Sequence, residues 1–351
     1  MASETRALEN IMLPLGMVAV QLFTMGMLLL SKVILTSGTT TVFSLLCYRN
    51  VVGALFMAPF AIFLEREMKN KLTYSALFWI FINALFGVVM AMGLYYYALE
   101  YTSASYAVNY LNLIPIVTFI IALIIGFERL ELNSKAGKMK VLGTLLSVGG
   151  AMVVSLYKGK TFHIRAFHLH RIESKAKAVA ERNIFRGSLL LIGSNFSFAF
   201  WFIVQVKVFK VFPSKYWTTM LTCLFGSLMA MLIGVALDRD SRPWKLDFNL
   251  NLLTIFYSGI LNSGCTYCLI SWAVSRRGPT YPSVFNPLSV IFTVIAEAMF
   301  MGEEVTVGSL VGAILIIGGV YAFLWGGTKG HSALKNSSLQ DEQQLEDGLP
   351  T

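Results

Sequence analysis

Gly143-Thr-Leu-Leu-Ser-Val-Gly-Gly150 and Gly312-Ala-Ile-Leu-Ile-Ile-Gly-Gly319 are one motif written twice, and this recurrence decides the fold. Two more landmarks keep the same order around it. Phe127-Glu128-Arg129-Leu130 precedes the first copy as Gly302-Glu303-Glu304-Val305 precedes the second. Further upstream, Phe63-Leu-Glu-Arg-Glu67 answers Ala236-Leu-Asp-Arg-Asp240. Self-similarity at this range marks a chain built from two related halves.

The motifs lie in long apolar runs that fill most of the chain. Of 351 residues, 56% are hydrophobic and 13% charged, against roughly a quarter charged in soluble domains. Mean hydropathy is +0.66. A bilayer core takes about 20 apolar residues per helix, and about ten such runs are readable. They fall near 11–35, 40–64, 74–98, 103–127, 139–157, 187–208, 216–237, 250–274, 279–300 and 308–326. They lack the two-residue alternation of a barrel strand, so the expected fold is an all-α membrane protein with ten transmembrane helices. The formal charge of +9 comes from Lys and Arg in the breaks between runs, which is the pattern of membrane topology signals. No single basic face for nucleic acid emerges.

With five spans in each half, an odd number, the second half enters the membrane from the opposite side. The expected organisation is a cytosolic N-terminus (1–10), a first repeat (11–157), a basic central loop (158–186), a second, inverted repeat (187–326) and a disordered cytosolic tail (327–351). With the central loop set aside, the segments on the N-terminal side carry most of the Lys and Arg, which places both termini in the cytosol. Inverted repeats hold a binding site at the midplane and rock one half against the other, the basis of alternating access. The partners implied are the lipid bilayer and a small-molecule solute, with a monomer as the working unit.

Chemistry inside the runs is sparse. All four His and every Asp lie outside them, and His163, His168 and His170 read as part of a solvated basic loop. Cys47, Cys223, Cys265 and Cys268 sit within spans, and the Cys265/Cys268 pair reads as packing residues rather than a redox or zinc motif. No catalytic set, metal or cofactor is expected. Arg49 is the one basic residue deep in a span; it fits either a substrate carboxylate or a structural pairing with helix-end carbonyls. Glu297, near a span's end, is the one acid nominated for proton coupling, although it can equally reach the interface.

Neutral polar residues form the better stripes. Ser105, Asn109 and Asn112 recur at helical spacing before Pro115, and Asn286-Pro287 answers them in the ninth run. Pro115 and Pro287 are hinge candidates, because proline frees backbone groups that a cavity can use. Ser194, Phe198, Trp201 and Gln205 share a face; Asn262, Ser263 and Tyr267 cluster; Gln21 and Asn83 stand alone. Each amide fits an interhelical hydrogen bond. As a set, Arg49, Asn83, Asn109, Asn112, Gln205, Asn262 and Asn286, with aromatic Trp201 and Tyr267, outline a central substrate cavity.

Several stretches resemble the plant nodulin-like, walls-are-thin-related EamA transporters, the UMAMIT family of the drug/metabolite transporter superfamily. They are Tyr48-Arg49, Ala58-Pro59, Glu65-Arg66, Ala98-Leu-Glu-Tyr-Thr-Ser-Ala104, Asn112-Leu-Ile-Pro-Ile-Val-Thr-Phe119, Trp272 through Gly278-Pro279, Asn286-Pro-Leu288 and Leu324-Trp-Gly326. The resemblance covers about residues 10–327. It implies two inverted EamA repeats and export or bidirectional movement of amino acids, with some relatives carrying auxin or other plant metabolites. The plasma membrane is expected ahead of the vacuolar membrane. Glu297 matches none of these motif positions.

Overall fold

The computed structural model describes residues 2–37, 40–101, 110–127, 134–157, 160–162, 184–237, 244, 250–296 and 305–347. Among them the chain is helical, apart from a two-residue antiparallel ladder joining Thr161–Phe162 to Val305–Thr306. Eight helices are long and apolar enough to cross a membrane, and two shorter apolar helices, Ile114–Ile125 and Thr280–Ala296, stand where the fourth and ninth spans were expected.

The helices are α1 (Ala2–Ser37), α2 (Val42–Leu64), α3 (Tyr74–Ala84), α4 (Gly93–Tyr101), α5 (Ile114–Ile125), α6 (Lys135–Leu156), α7 (Ile184–Val211), α8 (Lys215–Leu237), α9 (Leu250–Tyr257), α10 (Tyr267–Arg277), α11 (Thr280–Ser283), α12 (Leu288–Ala296) and α13 (Val307–Asp347). The outside of the bundle is apolar, with Phe63, Ile124, Leu145 and Ile314 all exposed, whereas Gln21, Asn50, Asn83, Asn112 and Gln205 are buried. That inversion of the soluble pattern suits a chain whose solvent is lipid, where polar side chains must find partners inside the protein.

The two halves interlock through equivalent helices. α6 and α13 run antiparallel, and their glycines meet crosswise: a Cβ on Gly143 would lie 2.6 Å from the Gly319 carbonyl oxygen, and one on Gly150 2.7 Å from that of Gly312. Each copy of the motif therefore packs against the other about a local two-fold axis near Ser147, whose hydroxyl donates to the Ile316 carbonyl at 3.5 Å. Gly149 and Gly318 face open space, so the contact uses only two glycines of each copy. α2 and α8 form a second antiparallel pair. At one end the Glu65 carboxylate accepts from the Ser214 hydroxyl and from the Tyr216 amide, capping the start of α8. At the other, the Tyr48 hydroxyl donates to the Trp244 carbonyl at 2.7 Å.

Two departures from regular helix recur in both halves. Between α3 and α4 the chain winds as a π-helix over Leu85–Met92, and between α9 and α10 it does so over Ser258–Thr266. Each wide turn lies against a glycine of the other half. A Cβ on Gly226 of α8 would come within 2.8 Å of Val88, and one on Gly53 of α2 within 2.8 Å of the Ser263 side chain. The two shorter apolar helices follow or contain breaks. Leu113 closes a turn onto the Tyr110 carbonyl before α5, and the residues from Val284 to Pro287 form turns before α12. Pro115 and Pro287 lack the amide that would continue the helix, which accounts for both breaks.

The last helix differs from expectation. It runs on to Asp347 where an unstructured tail from residue 327 was expected. The segment Ala333-Leu-Lys-Asn-Ser-Ser-Leu-Gln-Asp-Glu-Gln-Gln-Leu-Glu346 holds no Gly or Pro and is rich in strong helix formers, so propensity carries the helix beyond its apolar part. The central loop 163–183 lies outside the described residues.

Candidate functional site: a central cavity between the halves

The spans not engaged in the two antiparallel pairs surround a cavity of about 740 Å³ of atom-free space, counting its open mouth. From the first half come Val20, Gln21, Thr24, Met27 and Leu28 of α1, Gly87 and Met92 of the π-turn, Tyr95 of α4, and Leu111 with Ile114 at the fourth-span break. From the second half come Phe198, Trp201 and Phe202 of α7, Asn262 and Thr266 of the π-turn, Tyr267 and Ile270 of α10, and Asn286 with Ser289 at the ninth-span break. The same three apolar segments of each half thus face one another across the cavity. Both π-turns and both breaks open onto the cavity, where departures from regular helix expose backbone groups to a ligand.

The wall is aromatic with a polar seam. Trp201 packs with Tyr267 at 5.4 Å and Phe202 at 5.0 Å between ring centroids. The indole rests on Gly87, where a Cβ would sit 2.4 Å from the ring. The seam crosses between the halves: Gln21 Nε2 donates to Asn286 Oδ1 at 3.3 Å, and Asn262 Nδ2 to Thr24 Oγ1 at 3.4 Å. Asn262 Oδ1, Thr266 Oγ1, Trp201 Nε1 and Tyr267 Oη are buried without a partner. Unpaired polar atoms in a buried wall cost about 1–3 kcal/mol each, and a bound polar solute relieves that cost.

Of the residues nominated from sequence, Trp201, Asn262, Tyr267 and Asn286 form the wall. Asn83, Asn112 and Gln205 are buried but stand off it. Asn83 Nδ2 donates to Thr222 Oγ1 at 3.1 Å, and Gln205 Oε1 accepts from Ser271 at 3.2 Å, so these two amides serve helix packing. Asn112 lies in the fourth-span break with its Nδ2 unpaired. Asn109 and Glu297 lie outside the described residues. Gln21 was read as an isolated amide; Thr24, Met27, Thr266 and Ser289 were missed, and only position on a shared helix face with Gln21, Asn262 or Asn286 could have signalled them.

Arg49 is fully buried directly behind the wall. Its Nη1 donates to the Met27 sulfur at 3.1 Å and reaches the Tyr96 hydroxyl at 3.4 Å, while Nε and Nη2 have no partner. Among the described residues neither a helix-end carbonyl nor an acid pairs with this cation. Glu65, on the same helix, is roughly 24 Å away along its axis. A charge at membrane depth costs about 2.5 kcal/mol or more, so an uncompensated one points to function.

Comparison with known proteins agrees with this architecture. The profile of the EamA-like transporter family matches twice, over residues 10–156 and 185–325. A WAT1-related protein of Arabidopsis thaliana is 36% identical over 308 residues, covering 86% of each chain. Protein WALLS ARE THIN 1 of Arabidopsis thaliana is 33% identical over 347 residues, covering 96% of this chain and 89% of its own. A solved crystal structure superposes with a TM-score of 0.66 at 15% identity, covering 90% of this chain and 97% of its own, a likeness of fold. Two family repeats, membrane-length helices and extended identity to plant relatives lead to one conclusion: the chain is a multi-pass membrane protein of the EamA-like transporter family, in its WAT1-related branch.

Proposed function

We propose that the protein is a secondary transporter that moves amino acids through the central cavity by alternating access, exporting them or running in both directions. The observation that carries this reading is the composition of the cavity wall, taken from the same three spans of each half and stitched by the Gln21–Asn286 and Asn262–Thr24 contacts. A site between pseudo-symmetric halves can be exposed to either side by rocking one half on the other. The two broken apolar helices complete a ten-span, inverted-repeat topology with Pro115 and Pro287 as hinges. Both termini then lie in the cytosol, the working unit is a monomer, and the plasma membrane is the site of action.

An aromatic wall of Phe198, Trp201, Phe202 and Tyr267 also suits a second cargo, a small aromatic organic acid such as auxin. The cargo is tested by uptake into proteoliposomes across a panel of labelled amino acids and aromatic acids, with and without a pH gradient. Saturable uptake of amino acids, at least about tenfold above empty vesicles, is the expected result. Uptake confined to aromatic acids replaces the first cargo by the second, and uptake of neither refutes the reading.

A further inference from the structure

The Arg49 guanidinium is divided in use. Nη1 is engaged by Met27 and Tyr96, but the edge formed by Nε and Nη2 has no partner. That edge carries two parallel N–H donors, the geometry that matches the two oxygens of one carboxylate. Among the described residues no acid contacts it: the groups around it are a thioether, the Tyr96 phenol, the Ser31 hydroxyl behind it, the Cys223 thiol and the Tyr267 hydroxyl. Tyr267 lies close enough to the guanidinium to interact with it, without a hydrogen bond of regular geometry.

Two of these neighbours, Met27 and Tyr267, are also part of the cavity wall. The guanidinium therefore lies one side chain behind the cavity, with Tyr267 in the wall within reach of it.

We propose that Arg49 and Tyr267 form a carboxylate subsite of the central cavity, in which the unpaired Nε and Nη2 edge of the guanidinium receives an anionic head group. The subsite rests on the cavity being the transport site and adds which chemical group of the solute is read. The carboxylate receives Nε–H and Nη2–H side by side and the Tyr267 hydroxyl from the wall, while the rest of the solute lies against Trp201. A solute with a carboxamide in the same place brings an NH2 group to a cation that can only donate, and is rejected.

The test uses the purified full-length protein in detergent and a matched pair of probes, 3-phenylpropionate and 3-phenylpropionamide, which differ only at the head group. Binding is read by thermal stabilisation over a concentration series. The acid should bind on the order of tenfold to a hundredfold more tightly than the amide. Arg49→Gln should erase the difference, and Tyr267→Phe should reduce it while keeping the aromatic wall. Because emptying a buried cation site can itself alter folding, Arg49→Lys is measured beside it. Lysine keeps the charge but loses the fork, so discrimination should fall between wild type and Arg49→Gln.

Equal binding of acid and amide by the wild type, binding of neither, or full discrimination retained in Arg49→Gln would each overturn the subsite. The probes carry no amino group and their binding is read without transport. A failure of amino acid uptake therefore strikes the proposed cargo, and a failure of acid-over-amide discrimination strikes the subsite.

Discussion

Replacing Gly319 with Val is expected to lower the melting temperature of the detergent-purified protein by at least about 5 °C, or to prevent it from accumulating folded. The side chain would be driven into backbone: a Cβ at Gly319 meets the Ser147 amide nitrogen at 2.4 Å and the Gly143 carbonyl at 2.6 Å. Backbone in a packed helix pair cannot move aside as a side-chain end can, so α6 and α13 must separate. Gly150→Val should do the same through the Gly312 carbonyl. The same motif supplies the control. Gly149 and Gly318 meet nothing within 4 Å, and Gly149→Ala and Gly318→Ala should leave the melting temperature unchanged or raise it slightly, as alanine is the better helix former. Equal sensitivity at all four positions would refute the crosswise pairing.

Asn286→Leu is expected to reduce solute exchange by more than about tenfold while the protein still folds. Asn286 stands at the broken ninth span, in the cavity wall, and accepts from Gln21 across the interface of the halves. Leucine of similar size removes the acceptor and leaves the Gln21 amide and any polar group of the solute without a partner. Asn83→Leu is the contrasting variant. Its amide bonds Thr222 away from the cavity, so the substitution should cost about 1–3 kcal/mol of stability and leave the apparent affinity for solute unchanged. Transport lost alike in both variants, with melting temperature tracking activity, would mean that Asn286 acts through packing.

These two amides show where sequence reading succeeds and where it stops. Asn83 and Asn286 look alike in the sequence, each a polar residue in an apolar run. What separates them is which neighbour each faces, a property of tertiary packing that helical periodicity does not contain. The repeat is legible because glycine spacing survives in both halves, yet that spacing does not tell that Gly149 faces outward while Gly143 and Gly150 make the contact. A short motif does not say which side of its helix makes the contact. The breaks at Pro115 and Pro287 are legible because proline lacks the amide a continuous helix uses, although Pro14 and Pro59 sit inside α1 and α2 without a break. The π-turns over Leu85–Met92 and Ser258–Thr266 were not, since neither stretch carries a residue type that demands them. They became visible only as a pair, at matching places in the two halves and against Gly226 and Gly53. Arg49 was singled out correctly as a buried cation. Its alternative role, pairing with helix-end carbonyls, is not seen among its contacts, and its place behind Met27 could not be foreseen.

The proposed alternating access exposes one cavity between the two halves to each side of the membrane in turn. It is tested most directly by exchange in proteoliposomes containing the purified protein, comparing entry of labelled solute into vesicles that are empty or preloaded with the same unlabelled solute. A cavity that must return before it can load again returns faster when occupied or is limited by that return step, so preloading should raise the initial rate of entry several-fold, with saturation at high solute. A rate indifferent to preloading and linear in solute concentration is the behaviour of an open pore, and would contradict the account.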